Sequence, residues 1–247
     1  MKEYDSVKSF AAKMQKELAR CDSLIANAGI STNEFSLAED FESTLTVNVV
    51  STFLLSMLAL PLLGKTASEL DTMTHLTIVG SNVHCFADHA QLETTPTGQV
   101  FSMLSQAGEA DMAARYFLSK LMVMQCTREL AVAATDPTNS KSISQVVINC
   151  PSPGWCKTEL FRQDDGGFWG RNMLRLIGRT AEEGGRALTS AIAAGGDSHG
   201  QYLSECRVKP ASVYVRSENG QRVQKKVWSE LLGIIETISP EAVRALH

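Results

Sequence analysis

Residues 110–134 read ADMAARYFLSKLMVMQCTRELAVAA. Apolar side chains recur there at helical spacing, which predicts a long amphipathic helix. Tyr116 and Lys120 stand four residues apart, about one turn, so both side chains leave the same face. An ammonium beside a phenol favours the phenolate and lowers the tyrosine's pKa from its usual value of about 10. A tyrosine tuned in this way can exchange a proton with an alcohol or carbonyl oxygen near neutral pH. The same pair also arises by chance as a surface contact, so its neighbours along the chain decide its meaning.

Outward from that helix, short apolar runs alternate with helical patterns. Upstream, residues 4–19 place Val7, Phe10, Ala11, Met14 and Leu18 on one face of a helix. Ser23 to Ala26 is a short strand, and residues 41–63 form a helix apolar nearly all round. Residues 75–80, HLTIVG, are a buried strand. Downstream, residues 144–149, SQVVIN, are another, ended by Pro151 and Pro153. Residues 180–193 open with a capping-box pattern, Thr180 and Glu183, and read as a helix. Tyr202 and Leu203 begin a last strand, and residues 217–238 form a charged amphipathic helix. Buried strands alternating with helices imply a parallel sheet covered on both faces, an α/β architecture.

The 247 residues are 44% hydrophobic and 20% charged, which fits one domain with a real core. A net charge of -4 and no Lys/Arg cluster argue against nucleic acid as a partner. The six cysteines are scattered without metal-ligand spacing, so no metal site is expected, and their usage suits a reducing, cytoplasmic setting. The N-terminus shows no signal-peptide pattern. The longest nearly apolar run, residues 49–64, is short for a membrane span and reads as a core helix.

Several further residues are chemically suggestive. Asn27-Ala28-Gly29 ends a strand with small residues, letting another group approach the backbone. Asn48 lies inside an apolar helix, where a buried amide is either structural glue or a placed functional group. Ser81 ends a central strand, where open α/β sheets bind ligands. Residues 85–108 are long and irregular for a plain connection, as lids and binding segments are. Residues 160–176 carry Phe161, Phe168, Trp169, Met173 and Leu176, which could cover an apolar ligand or pack on the domain. A hydrolase built on Ser81, His84 and Asp88 finds no support, because no G-x-S-x-G elbow is present.

Taken in order, Ala26-Asn27-Ala28-Gly29, Asn48 within TVNVV, Ser81, Tyr116-Phe117-Leu118-Ser119-Lys120 and Pro153-Gly154-Trp155-Cys156-Lys157-Thr158 resemble the short-chain dehydrogenase/reductase family over nearly the whole chain. The long segment before Tyr116, the ADMAARY approach and the Ser239 to Val243 tail resemble its fungal and retinol-dehydrogenase-like branch. The resemblance implies a Rossmann-like, doubly wound parallel sheet and an NAD(P)-dependent oxidoreductase interconverting a secondary alcohol and a ketone or aldehyde. It implies Tyr116 as proton donor or acceptor and Ser81 as the group orienting the substrate oxygen. It implies Lys120 on the nicotinamide ribose, lowering the tyrosine's pKa, and Asn48 anchoring a water that links Lys120 to solvent. Asn27, Ala28 and Gly29 would lie along the adenosine side of the cofactor. Pro153, Gly154, Cys156 and Thr158 would line the nicotinamide. The cofactor would be NADP or NAD, with NADP slightly preferred, the substrate a lipophilic small molecule, and a homodimer is compatible.

One departure from the family pattern is large. The Gly-rich turn that receives the pyrophosphate is absent, as is the acidic residue expected on the adenosine ribose. The expectation is an N-terminally truncated domain lacking two βα units and a third strand, roughly 60 residues at about 30 per unit. Such a chain should expose a sheet edge and a large apolar patch, leave the apolar face of the Asn48 helix partly uncovered, and bind nicotinamide poorly or not at all. The alternative reading is a paralogue that holds a ligand or partner without turnover.

Overall fold

The Asp111 carboxylate accepts the Ala114 N–H at 3.1 Å and so starts the helix that carries Tyr116. In the computed structural model, which describes residues 1–108, 110–135, 145–156 and 178–246, this helix runs Met112–Ala134. It is buried on nearly every side, which corrects the expectation of an amphipathic helix: Leu118, Leu121, Met122, Val123 and Cys126 all lie in the core. The reason is its position, between the sheet and the C-terminal helix.

The layers are built from α1 (Tyr4–Glu17), β1 (Ser23–Ala26), α2 (Ser51–Leu70), β2 (Thr74–Ile78), α3 (Met112–Ala134), β3 (Val146–Ser152), α4 (Ala181–Ile192), β4 (Tyr202–Ser204), β5 (Arg207–Lys209) and α5 (Glu218–Ile238). Among the described residues the main sheet has the order β1-β2-β3-β4-β5. Its first four strands are parallel, in registers such as Ser23 with His75, Thr77 with Asn149 and Cys150 with Tyr202. β5 folds back antiparallel on β4 through Glu205 and Cys206, both with left-handed backbone (φ 55 and 59). Every residue of β2 and β3 is buried, as the central strands of a parallel sheet require. The fold is thus α/β with a mostly parallel sheet, as the sequence implies.

Four details differ from the sequence reading. β3 does not stop before its prolines. Pro151 pairs with Leu203 in register, and its carbonyl accepts the Gly80 N–H at 2.9 Å, so only the missing proline N–H is lost to the ladder. The expected helix over residues 41–63 begins instead with a two-residue strand, Phe41–Glu42, paired with Leu37–Ala38. A single α-turn, Ser43–Leu45, and a π-turn, Thr46–Val50, then lead into α2, which continues to Leu70 and ends at Asp71 in the left-handed region. The face of this helix expected to lie partly uncovered is packed by α1 and the terminal helix Pro240–Arg244. Phe53, Leu54, Met57, Leu60 and Leu63 are completely buried. The span Ser43–Leu70 is long and apolar enough to cross a membrane, and 89% of its apolar window is buried inside this fold, as in a core helix. Phe10 and Leu18, expected on the inner face of α1, are exposed, because Leu18 is already the C-cap and the buried stripe is Tyr4, Val7, Ala11 and Met14. Among the described residues β1 pairs with β2 alone, so its other edge is open.

The segment after Ser81 is a built structure rather than an irregular loop. It holds a 3-10 turn, Asn82–Phe86, and two short helices, Ala90–Thr94 and Val100–Leu104, with Leu92, Val100, Phe101 and Leu104 buried. Helix α5 grips both. The Lys226 ammonium donates to the carbonyls of Leu92 and Thr95, closing the end of the first helix. One turn on, the Glu230 carboxylate accepts the N–H groups of Val100 (2.9 Å) and Phe101 (2.8 Å), opening the second.

Candidate active site

The residues singled out in the sequence gather at the carboxyl edge of the sheet. Asn27-Ala28-Gly29 leave β1, Gly80-Ser81 leave β2 and Pro153-Gly154 leave β3. This is where open α/β sheets hold ligands. Asn27 and Ala28 are exposed, and Gly29 sits so close to the next layer that a Cβ there would come within 3.2 Å of Asn48 Oδ1 and 3.8 Å of Lys120 Nζ. Gly80 is required by packing: a Cβ would lie 2.6 Å from Cys150 Sγ.

The π-turn at Thr46–Val50 presents Asn48 to its neighbours. Its Oδ1 accepts the Ile30 N–H at 2.8 Å, and its Nδ2 donates to the Ile30 carbonyl (2.9 Å) and Ser119 Oγ (3.0 Å). The buried amide therefore fastens the Gly29 turn to α3, and one lone pair of Oδ1 is left over. Lys120 Nζ donates to the Val79 carbonyl at 2.8 Å and stands 5.8 Å from the centre of the Tyr116 ring. The Ser81 side chain stands near enough to the Tyr116 phenol to pull the phenol's pKa down. Asn48, Ser81, Tyr116 and Lys120 are thus brought together.

The electrostatics differ from the expectation for an isolated helix. Burial pushes the Tyr116 phenol up to about 12, with Ser81 pulling the other way. Burial also brings Lys120 down to about 8. Desolvation is the largest cause of both shifts, so the tyrosine rests as a neutral phenol.

Gly154 has a left-handed backbone (φ +85) and lies under the Arg179 guanidinium. The Cys156 thiol is packed inward, donating to the Pro153 carbonyl and lying where a Cβ on Gly184 would touch it. Thr158, and the apolar segment 160–176, lie outside the described residues.

Sequence reasoning missed two supports of this site. Ser152 Oγ, fully buried, accepts the Asn82 N–H (3.0 Å) and the Gly154 N–H (3.3 Å), tying the Ser81 turn to the Pro153 loop. Its place after two strand residues in Cys150-Pro151-Ser152 was the available signal. Arg115 and Glu42, both buried, face each other with Nε 3.6 Å from Oε2. Arg115 also donates to the Leu104 carbonyl, and the Glu42 N–H donates to Ser105 Oγ, so the pair joins the Asn48 segment, the segment after Ser81 and α3.

An open parallel α/β sheet with serine, tyrosine and lysine at its carboxyl edge defines a Rossmann-type oxidoreductase framework. The family model for short chain dehydrogenase matches residues 1–69. The short chain dehydrogenase/reductase dmxR8 of Cryptosporiopsis sp. is 39% identical over 244 residues, covering 97% of this chain and 72% of its own. The short-chain dehydrogenase anuD of Penicillium roqueforti is 35% identical, covering 97% of this chain and 62% of its own. The chain belongs to the short-chain dehydrogenase/reductase family. Among solved structures, the carbonyl reductase Sniffer of D. melanogaster superposes with a TM-score of 0.55 at 18% identity, covering 85% of this chain and 75% of that one. The 3-ketoacyl-(acyl-carrier-protein) reductase of Brucella melitensis complexed with NADH gives 0.53 at 16%, covering 83% and 73%. Both share the fold.

Proposed function

We propose that this chain is a nicotinamide-dependent carbonyl reductase acting on a lipophilic ketone or aldehyde, with the reverse alcohol oxidation available to the same residues. The observation that carries the reading is the buried Tyr116 phenol, held neutral beside Ser81 with Lys120 below its ring. A neutral phenol in an apolar setting is a proton donor, which suits reduction better than oxidation.

The residues present fit the nicotinamide half of the nucleotide; the weak binding expected from the missing Gly-rich turn concerns its pyrophosphate half. Asn27 and Ala28 offer an exposed turn, Gly29 brings backbone within reach of Lys120, and Pro153 and Gly154 leave the neighbouring central strand at the same edge of the sheet. When bound, the nicotinamide supplies the hydride. Ser81 orients the substrate oxygen and Tyr116 gives it a proton. Lys120 in its charged form stabilises the phenolate left behind, and Asn48 keeps the Gly29 turn and α3 in register. Large apolar side chains stand exposed on both loops of the site, Phe86 (77%) after Ser81 and Trp155 (40%) after Gly154, which supports a lipophilic substrate. NADP is taken ahead of NAD, and both are tested.

The experiment follows oxidation of NADPH and of NADH with a panel of aryl ketones, aldehydes and quinones. Slow reduction of a probe, seen only at high nucleotide concentration, is expected with either cofactor and should be lowered about 10²- to 10⁴-fold by Tyr116→Phe. The rate should fall as pH rises through about 8, where Lys120 loses its charge. Undiminished turnover in Tyr116→Phe removes the tyrosine from the mechanism. Failure to bind either nucleotide favours a ligand- or partner-holding protein without turnover.

A further inference from the structure

We propose that His84 is a positioning residue, holding the Ser81 backbone so that the serine side chain meets Tyr116; the proposal rests on Ser81 and Tyr116 being the proton-transfer pair. The sequence marks His84 as a possible hydrolytic partner of Ser81, and the structure gives its ring a different task. The ring is 3% exposed and both nitrogens are used. The Ser212 N–H donates to Nε2 at 3.1 Å, so Nε2 carries no proton. Nδ1 then bears it and donates to the Ser81 carbonyl at 2.7 Å. This neutral tautomer links the catalytic turn to a backbone amide 128 residues away.

The link is needed because the serine's own side chain is loosely held. Its Oγ accepts the Val83 N–H at 3.3 Å, and its contact with Asn82 Oδ1 is 3.4 Å. The backbone is pinned far better. His84 holds the carbonyl of Ser81, and Ser152 holds the next N–H, that of Asn82. Tyr202 lies beside both pins: its ring meets the His84 ring edge-on at 4.9 Å, and Ser152 stands near enough to its phenol to pull the phenol's pKa down. A buried imidazole with fixed donor and acceptor can therefore set the direction of the Ser81 Cα–Cβ bond, and with it the distance from Oγ to the phenol.

The test uses the chain labelled with ¹³C at tyrosine Cζ. Its four tyrosines give four resonances, assigned by Tyr116→Phe and Tyr202→Phe. His84→Ala is expected to shift the Tyr116 resonance in the same sense as Ser81→Ala. The double variant should shift it no further than Ser81→Ala alone. His84→Asn, which keeps an N–H within reach of the Ser81 carbonyl, should restore it. His84→Gln fills the ring's space while sending its amide past that carbonyl, so it covers the case in which the alanine variant fails to fold, and it should also shift Tyr116. With NADPH and an aryl ketone, kcat is expected to fall about 10- to 100-fold in His84→Gln with KM for NADPH unchanged. A Tyr116 resonance that stays in place in His84→Gln, while that of Tyr202 moves, reduces His84 to packing and overturns the proposal. The resonances report the linkage with or without turnover, so an inactive protein would sink the catalytic reading alone.

Discussion

At the scale of single residues, burial decides the chemistry. The Tyr116–Lys120 spacing places the two groups as the sequence predicts, yet desolvation holds the phenol near 12 and the ammonium near 8. The same competition governs Arg115 and Glu42. Burial lowers the arginine's pKa while the facing carboxylate supports its charge. Removing one member leaves the other enclosed without its partner. Arg115→Leu is therefore expected to cost about 3–5 kcal/mol in urea unfolding, whereas Arg115→Met with Glu42→Gln should recover most of the loss. Equal losses in the single and double variants would mean that the pair is not coupled.

Among the elements, the tightest constraint lies where β2 meets β3. Gly80→Ala drives a methyl into Cys150 Sγ, a buried atom with no room to retreat, and should destabilise by about 1–3 kcal/mol. Adding Cys150→Ala should return part of that stability, and urea midpoints of the single and double variants would show it. Which of these features could be read from sequence depends on range. The strand runs before Ala26, Gly80 and Cys150, the Thr180–Glu183 capping box and the Tyr116–Lys120 turn are local patterns, and all were legible. The π-turn around Asn48 was not, because its residues also fit an ordinary helix and the extra residue is fixed by contacts to Ile30 and Ser119. His84, Ser152 and Arg115 acquire their roles from partners far along the chain, and no spacing announces such partners. The segment after Ser81 looked irregular because its two short helices are closed by Lys226 and Glu230, residues of another element.

Across the whole molecule, folding couples to pH through His84. Burial holds its folded pKa below the ordinary value of 6.5, so the folded chain keeps the ring neutral while the unfolded chain protonates it. Its contribution is complete above about 6.5 and is lost as pH falls below that value. Urea midpoints are expected to drop between pH 7.5 and 5, and His84→Gln should flatten that slope; an unchanged slope would remove His84 as its source. The grip of Lys226 and Glu230 has a consequence of the same reach. Two adjacent turns of α5 terminate one short helix and begin another, so neither helix keeps its end groups satisfied once α5 detaches. The segment following Ser81 and helix α5 then form one cooperative opening unit. Amide hydrogen exchange should show Val100 and Phe101 exchanging at the rate of the middle of α5, and Glu230→Gln should speed the segment's exchange while leaving β2 and β3 protected.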